Sequence, residues 1–338
     1  MKKILYALPF LLMSQVSLGQ HSEMWGTTLA GGQYEAGFVF KMNPDGSDYE
    51  IVYAFNGTST GRTGYNQLTQ GNDGLLYGVT GGTSGAGTIF TVDPVSGAHT
   101  VVHYFNPFNY VRSKLTLATN GKFYGIGSGF MFEFDPSNKS VRIIDPWDSF
   151  SFLFGEGFLL EIEPNVLYGA APGFGGAGAI FKYDISTDTY TTLHFFNGED
   201  GDSPNSDLLL SPDSLLYGTT ISEGDNNRGT LFSYDLKKDT LVVEAHLDSE
   251  HNLANGGLVQ HENGLIFGAT TIGGSSSSGS IFEFNPTTKA LRTVYNAPPT
   301  AGILLTPMLG FNGNIYVMSR NGGSGAGFGR IVAYDPSS

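Results

Sequence analysis

The chain has 338 residues, 48 glycines, no cysteine and a formal charge of −14, from 31 acidic against 17 basic side chains. That charge repels phosphate backbones and argues against nucleic acid as a partner; the missing thiols exclude disulfides, thiolate metal sites, iron–sulfur clusters and thiol nucleophiles. Hydrophobic residues make up 40% and aromatics 13%, enough to build a folded body rather than a disordered one.

Residues 1–19 read as a secretory signal peptide. Lys2 and Lys3 precede an apolar run from Ile4 to Met13, and Ser17-Leu18-Gly19 places small residues before a cleavage site between Gly19 and Gln20. The run is too short to cross a bilayer, which takes ~20 apolar residues, and Pro9 interrupts it. No later stretch is long enough either, so no membrane span is expected. The expected mature chain, 20–338, is one repeat domain, secreted or held at the cell surface.

A hydrophobic–aromatic–Gly anchor recurs along that domain: Met24-Trp25-Gly26, Leu76-Tyr77-Gly78, Phe123-Tyr124-Gly125, Leu167-Tyr168-Gly169, Leu216-Tyr217-Gly218 and Ile266-Phe267-Gly268. A seventh copy, Ile315-Tyr316-Val317, lacks the glycine. Successive aromatics stand 44 to 52 residues apart. A second pattern, Gly-x-apolar-aromatic-x-x-Asp/Asn, follows each anchor, at 37–43, 87–93, 129–135, 178–184, 229–235 and 279–285, with Val332 replacing the aromatic at 329–335. Each unit resolves into four short strands, a to d, separated by turn signals. In the fifth unit these are 208–211, 216–220, 230–235 and 240–246. Asn-Gly or Asp-Gly dipeptides such as Asp73-Gly74 and Asn263-Gly264 mark the a–b turns, and Asp or Asn followed by Pro marks most c–d turns.

Four antiparallel strands repeated every 45–50 residues predict an all-β, seven-unit β-propeller of four-stranded blades. Strand c carries bulk on both faces, as in Ile89 and Thr91 against Phe90 and Val92, so each sheet needs a neighbour on either side. The anchor glycine is expected to make room for an aromatic of the adjoining blade. The first unit begins just before a strand b and the last ends after a strand c. The terminal blade is therefore expected to be incomplete, its missing strands lying in a C-terminal continuation or leaving an open ring.

With both patterns in place, the chain resembles the bacterial tandem-repeat proteins called GloVer-containing, which are similar to kelch-type propellers. The fifth unit carries the likeness best: Phe196-Asn197-Gly198-Glu199-Asp200-Gly201-Asp202-Ser203-Pro204, then Leu216-Tyr217-Gly218-Thr219-Thr220, then Gly229-Thr230-Leu231-Phe232. The resemblance implies export and a repeat fold, and it brings no catalytic residues.

By analogy with other propellers, the face carrying the d–a and b–c connections is the expected binding surface. The glycine-rich b–c segments, such as 81–87 and 173–178, join strands rather than opening helices and lack the Lys of a phosphate-binding loop, so they read as hairpin connections. The d–a segments offer Arg62, Tyr65, Tyr110, Arg112, Trp147, Asp148, Asp200, Asp202 and His251, aromatics beside charges that suit a carbohydrate or peptide ligand. The bland reading of the aromatics is that they cover blade ends. Asp200, Asp202 and Asp207 offer hard oxygen ligands for calcium, but their spacing is not that of a calcium loop, and a solvated acidic turn explains them better. No other cofactor is implied. The functional expectation is a secreted module binding an extracellular glycan or protein. The alternatives are a polysaccharide-degrading enzyme, for which Asp148, Glu199, Asp202 and Glu250 are carboxylate candidates, and a structural repeat of an adhesive array.

Overall fold

The structure is a computed structural model. It describes the chain except residues 1–3, 7–10, 19–20, 29–30, 58, 62–66, 82–86, 107–110, 112, 128, 145–157, 174–176, 205, 255, 300–305, 320–329 and 338. The protein is a seven-bladed β-propeller of small antiparallel sheets, with no helix among the described residues. Two compact units divide it, one comprising Leu8–Ser149 and Phe154–Asn165, the other Met1–Ala7, Phe150–Leu153 and Val166–Ser338.

In the first unit, blade 1 runs Leu11–Leu18, His21–Thr28, Phe38–Met42, Glu50–Ala54. Blade 2 runs Thr69–Gln70, Leu76–Thr80, Thr88–Val92, His99–Tyr104, and blade 3 runs Thr116–Leu117, Phe123–Gly127, Phe130–Asp135, Ser140–Ile144. Leu160–Glu163 is the last strand of this unit. The second unit holds Val166–Ala171, Ala179–Asp184 and Thr189–Phe195 of blade 4. Blade 5 follows with Leu209–Leu210, Leu215–Ser222, Thr230–Asp235 and Thr240–His246, and blade 6 with Val259–Gln260, Ile266–Ala269, Ser280–Phe284 and Leu291–Asn296. Blade 7 contributes three strands of its own, Met308–Leu309, Ile315–Ser319 and Arg330–Tyr334.

Both sequence patterns have the same physical origin. In a strand, neighbouring residues point to opposite faces, so each pattern supplies one residue to each side of its blade. The anchor aromatic and the apolar residue of strand c face the following blade, while the anchor hydrophobic and the strand-c aromatic face the preceding one. Thus Tyr77 and Ile89 of blade 2 pack with Phe123, Phe132 and Phe134 of blade 3. Tyr217 and Leu231 of blade 5 meet Ile266, Phe282 and Phe284 of blade 6 in the same way. Strands b and c are consequently buried along nearly their whole length, whereas strand d alternates with solvent. Each fully buried Phe contributes on the order of 1.5–3 kcal/mol of burial.

The anchor glycine does make room for an aromatic, but the ring belongs to the same blade. A Cβ on Gly78, Gly125, Gly218 or Gly268 would lie 2.1–2.5 Å from Cζ of Phe90, Phe132, Phe232 or Phe282. These are the cross-strand partners of the glycines in strand c. The ring folds back over its own sheet, and an aromatic that follows strand d of the preceding blade then meets it edge-on. Phe55 packs on Phe90, Phe105 on Phe132 and Phe196 on Phe232, with centroids 5.0–5.2 Å apart.

The turns follow their chemistry. The carboxylates of Asp93, Asp135, Asp184, Asp235 and Asp335, and the amide oxygen of Asn285, accept the backbone N–H two residues on. The side chains of Ser137, Lys238 and Ser337, which bond Asp135, Asp235 and Asp335, and then these backbone bonds hold those carboxyls below their ordinary pKa; at Asp93 the Val95 amide has the largest part. In the a–b turns Gly74 and Gly264 take φ of +82° and +85°, the left-handed conformation that favours glycine.

The strands the sequence reading left missing come from the other end of the chain. Ile4–Tyr6 pairs with Arg330–Val332 at the edge of blade 7, and Leu11–Leu18 pairs with His21–Thr28 as strand a of blade 1. This hairpin departs from the repeat. In blades 2, 3, 5, 6 and 7 the anchor aromatic pairs with the residue eight positions earlier, as Tyr77 with Thr69 and Tyr217 with Leu209. In blade 1 Trp25 pairs with Ser14, eleven positions earlier.

Candidate ligand-binding face

The b–c and d–a connections of blades 5 and 6 are built into each other. Gly224 donates its amide to the carbonyl of Gly198 at 2.9 Å, and Gly274 does the same to Glu250 at 2.8 Å, so in both blades the b–c loop is bonded to the preceding d–a loop. The residue ending strand d closes the arrangement. The Asp225 amide donates to Nδ1 of His246 at 3.0 Å, and the Ser275 amide donates to Oδ1 of Asn296 at 2.7 Å.

Beneath these loops lies a pair of buried hydroxyls that the sequence reading missed. Thr220 and Thr230 are hydrogen-bonded at 3.1 Å across strands b and c, and Thr230 Oγ1 donates to the Asp200 carbonyl at 2.8 Å. Thr270 and Ser280 repeat this at 2.9 Å, with Ser280 Oγ donating to the Glu250 carbonyl at 2.8 Å. Blade 2 has the same device in Thr80 and Thr88, 2.6 Å apart, with Thr80 Oγ1 donating to the Thr60 carbonyl. The signal was in the sequence as the second Thr of Tyr-Gly-Thr-Thr and the Thr or Ser after the later glycine. It was passed over because Thr in a strand ordinarily needs no special explanation.

The d–a loops are capped from within. Asn197 Oδ1 accepts from the Glu199 and Asp200 amides, and Asp200 Oδ1 returns a bond from the Asn197 amide at 2.9 Å. Ser203, Glu223 and Leu253 are held at left-handed φ of +57°, +60° and +53°. Such conformations cost of order 1–3 kcal/mol each and persist where the surroundings over-determine them, often at ligand sites.

Of the residues proposed from the sequence, Arg62, Tyr65, Tyr110, Arg112, Trp147 and Asp148 lie outside the described residues. The others occupy varied settings. Asp200 is 9% exposed, with Oδ2 2.7 Å from Nε2 of His194, so its carboxylate organises the loop from inside. His251 is 6% exposed; its Nδ1 lies 2.8 Å from Asp248 Oδ1 and its ring packs edge-on against Phe282. Burial alone would raise the Asp248 carboxyl, but hydrogen bonds from His251 and from the Glu250 and His251 amides outweigh it and hold it low. Asp202 is half-buried and accepts from Ser203 Oγ. Asp207 sits before strand a of blade 5, beside Gly257. Among the described residues no three His, Asp or Glu side chains are grouped as metal ligands would be. Glu250 Oε2 accepts from Thr293 Oγ1 at 3.2 Å, and Glu199 is exposed.

This repeat geometry coincides with a known family. The Gloeobacter/Verrucomicrobia repeat matches residues 13–129 and 126–332, and the chain belongs to that family. None of the curated proteins matches the sequence. Among solved structures, the chain is similar to the extracellular domain of a hybrid two-component system of B. thetaiotaomicron. The TM-score is 0.67 at 11% identity, with 98% of this chain and 39% of that one covered. It is also similar to oligogalacturonate lyase of Vibrio parahaemolyticus (TM-score 0.64, 9% identity, 98% and 99% covered) and to a fungal alcohol oxidase in complex with copper (0.66, 13%, 99% and 76%). The chain thus spans about two fifths of the length of that extracellular domain. At these identities the likeness establishes a shared fold.

Proposed function

We propose that this protein is an exported binding module that takes an extracellular glycan on the face where its d–a and b–c loops meet. The observation that carries the reading is the repeated lock in blades 5 and 6. Buried hydroxyl pairs and backbone bonds fix short loops while leaving the loop side chains at the surface, the preorganised platform that recognition requires. Binding is favoured over acid–base turnover because Asp200 is committed to His194 and to the Asn197 amide, and Glu250 to Thr293.

Export follows from residues 1–19, with Lys2 and Lys3 ahead of the apolar run. On this reading the strands formed by Ile4–Tyr6 and Leu11–Leu18 belong to the unprocessed chain, in keeping with a hairpin register that differs from that of blades 2, 3, 5, 6 and 7. The test is a glycan array probed with secreted protein, with a turnover screen on every hit and intact mass to locate the N-terminus. Binding without turnover, by a chain starting at Gln20, is expected. Hydrolysis or elimination of a hit would replace the module with an enzyme, and a mass that includes residue 1 would remove the export reading.

A further inference from the structure

Blades 5 and 6 hold their b–c loops through the same contact with different chemistry. His246 and Asn296 are the last residues of strand d in the two blades, opposite Thr230 and Ser280 of strand c. The next amide in each, that of Leu247 or Ala297, donates at 3.0 Å to the carbonyl of the glycine before strand c, so both side chains leave a fixed backbone. Each also lies against a loop glycine at left-handed φ, Gly224 at +70° and Gly274 at +71°. A Cβ there would stand 3.0 Å from His246 Nδ1 or 2.3 Å from Asn296 Oδ1. The two acceptors are therefore equivalent in position, Nδ1 taking the Asp225 amide and Oδ1 the Ser275 amide. They are not equivalent in protonation. An amide oxygen accepts whatever the pH, whereas Nδ1 accepts only while the imidazole is neutral. The ring hydrogen then sits on Nε2, 3.4 Å from Asp225 Oδ2.

We infer that His246 is a pH-sensitive latch on the proposed binding face: neutral, it holds the b–c loop of blade 5; protonated, it releases that loop, while Asn296 holds the loop of blade 6 throughout. The inference rests on the binding reading above and deepens it by giving that site a regulator. A proton taken from solvent at Nδ1 occupies the lone pair that accepted the Asp225 amide, leaving two N–H donors face to face. Histidine is the side chain that ordinarily makes this change between about pH 8 and 5. The charged groups on the segments around His246 are Glu223, Asp225 and Arg228 of the b–c loop, Glu199, Asp200 and Asp202 of the d–a loop bonded to it, and Asp248 beyond strand d. Strand c presents Thr230, and Glu244 of strand d is bonded to Ser233 and Lys289. Among the described residues only Asp225 comes within ion-pair distance of His246. Its carboxylate is 77% exposed, so a pair with the imidazolium is weak and does not replace the backbone bond. The other two histidines of these loops respond differently. His194 and His251 lie 2.7 and 2.8 Å from carboxylate oxygens of Asp200 and Asp248, acceptors that an imidazolium also satisfies. Acid therefore loosens one b–c loop and leaves the d–a loops bonded.

Hydrogen–deuterium exchange of the ligand-free protein at about pH 5 and about pH 8, corrected for intrinsic rates, tests this, with residues 273–279 of blade 6 as the internal reference. Peptides covering 223–229 should exchange about tenfold faster at the acid pH, the worth of one hydrogen bond, and those covering 273–279 should not change. His246→Asn, which puts an amide oxygen where Nδ1 stood, should keep 223–229 protected at both pH values, and His246→Ala should leave it fast at both. A wild-type loop equally protected at both pH values would overturn the latch. So would acid release that persists in His246→Asn, or release of both b–c loops together. With a glycan identified on the array, affinity should fall about tenfold at the acid pH in the wild type and hold in His246→Asn. Wild-type affinity that is equal at both pH values would overturn the regulatory role. An array without a hit would remove the binding reading and that role with it, while the ligand-free exchange still decides the latch.

Discussion

Blades 3 and 5 share the same glycine–phenylalanine contact across strands b and c, yet they finish their loop ends in opposite ways. Blade 5 separates the two strands by residues 223–229, pairs Thr220 with Thr230 and binds the preceding loop. Blade 3 joins them through residues 128–129 alone. There the strand ends are Gly127 and Phe130, with the Phe130 ring folded over the glycine, and Ser113 Oγ accepts the Ile126 amide. At its other end blade 3 buries a charge: Glu133 accepts from Lys122 Nζ at 2.7 Å, Tyr124 Oη at 2.8 Å and Arg142 at 3.2 Å. Blade 5 has Ser233 at the corresponding position, bonded to Glu244. The comparison teaches that the two sequence patterns specify the interior of a blade, while its two ends vary independently. A binding surface can therefore be rebuilt blade by blade without disturbing the ring.

The largest effect should come from the shared interior. Gly218→Val places a branched side chain where a Cβ alone would lie 2.4 Å from Phe232, and about 3 kcal/mol should be lost. Thermal melting of the variant checks this, and an unchanged midpoint would break the claim that both blades rest on this contact. Next comes the buried charge of blade 3. Glu133→Ala should cost about 2 kcal/mol, less than a fully buried pair because Lys122 and Arg142 are partly exposed, whereas Ser233→Ala should cost under about 1. Burial would raise the Glu133 carboxyl, but bonds from Lys122, Tyr124 and Arg142 outweigh it and hold the folded value low. Its contribution is therefore present above the ordinary carboxyl range and lost as pH falls through the lowered value. Glu133→Gln should flatten the acid limb of a melting-temperature profile, and a limb of unchanged slope would assign it to other groups. A smaller effect than that of Glu133→Ala is expected from Thr220→Val, about 1 kcal/mol, since it removes one buried hydroxyl from blade 5. It should also speed amide exchange at Gly224 while leaving blade 3 as protected as before; equal acceleration in both blades would end the claim that the ends are independent.

Much of this architecture was legible in the sequence because it repeats within one chain. Residues that alternate between two buried faces leave a doubled pattern, and the turns at Asp93, Asp235 and Asn285 declare themselves through their own hydrogen bonds. Two readings needed coordinates. Whether the ring over Gly218 came from the next blade or from its own strand c depends on strand register, which no local pattern states. The role of Thr220, Thr230, Thr270 and Ser280 depends on hydroxyl direction. The site was less legible for a related reason. Charged and aromatic loop residues look alike in sequence whether, like Asp200 and His251, they turn inward to hold the loop or, like Phe195, they stand in solvent.

Hydrogen–deuterium exchange of the protein, with and without a glycan that the array identifies, tests the central claim most directly. Protection is expected across residues 197–204, 223–229 and 247–253, where the d–a and b–c loops of blades 5 and 6 interlock, with the c–d turns at 235–240 and 285–290 unchanged. Protection confined to those c–d turns would place the ligand at the other end of the blades and contradict the account.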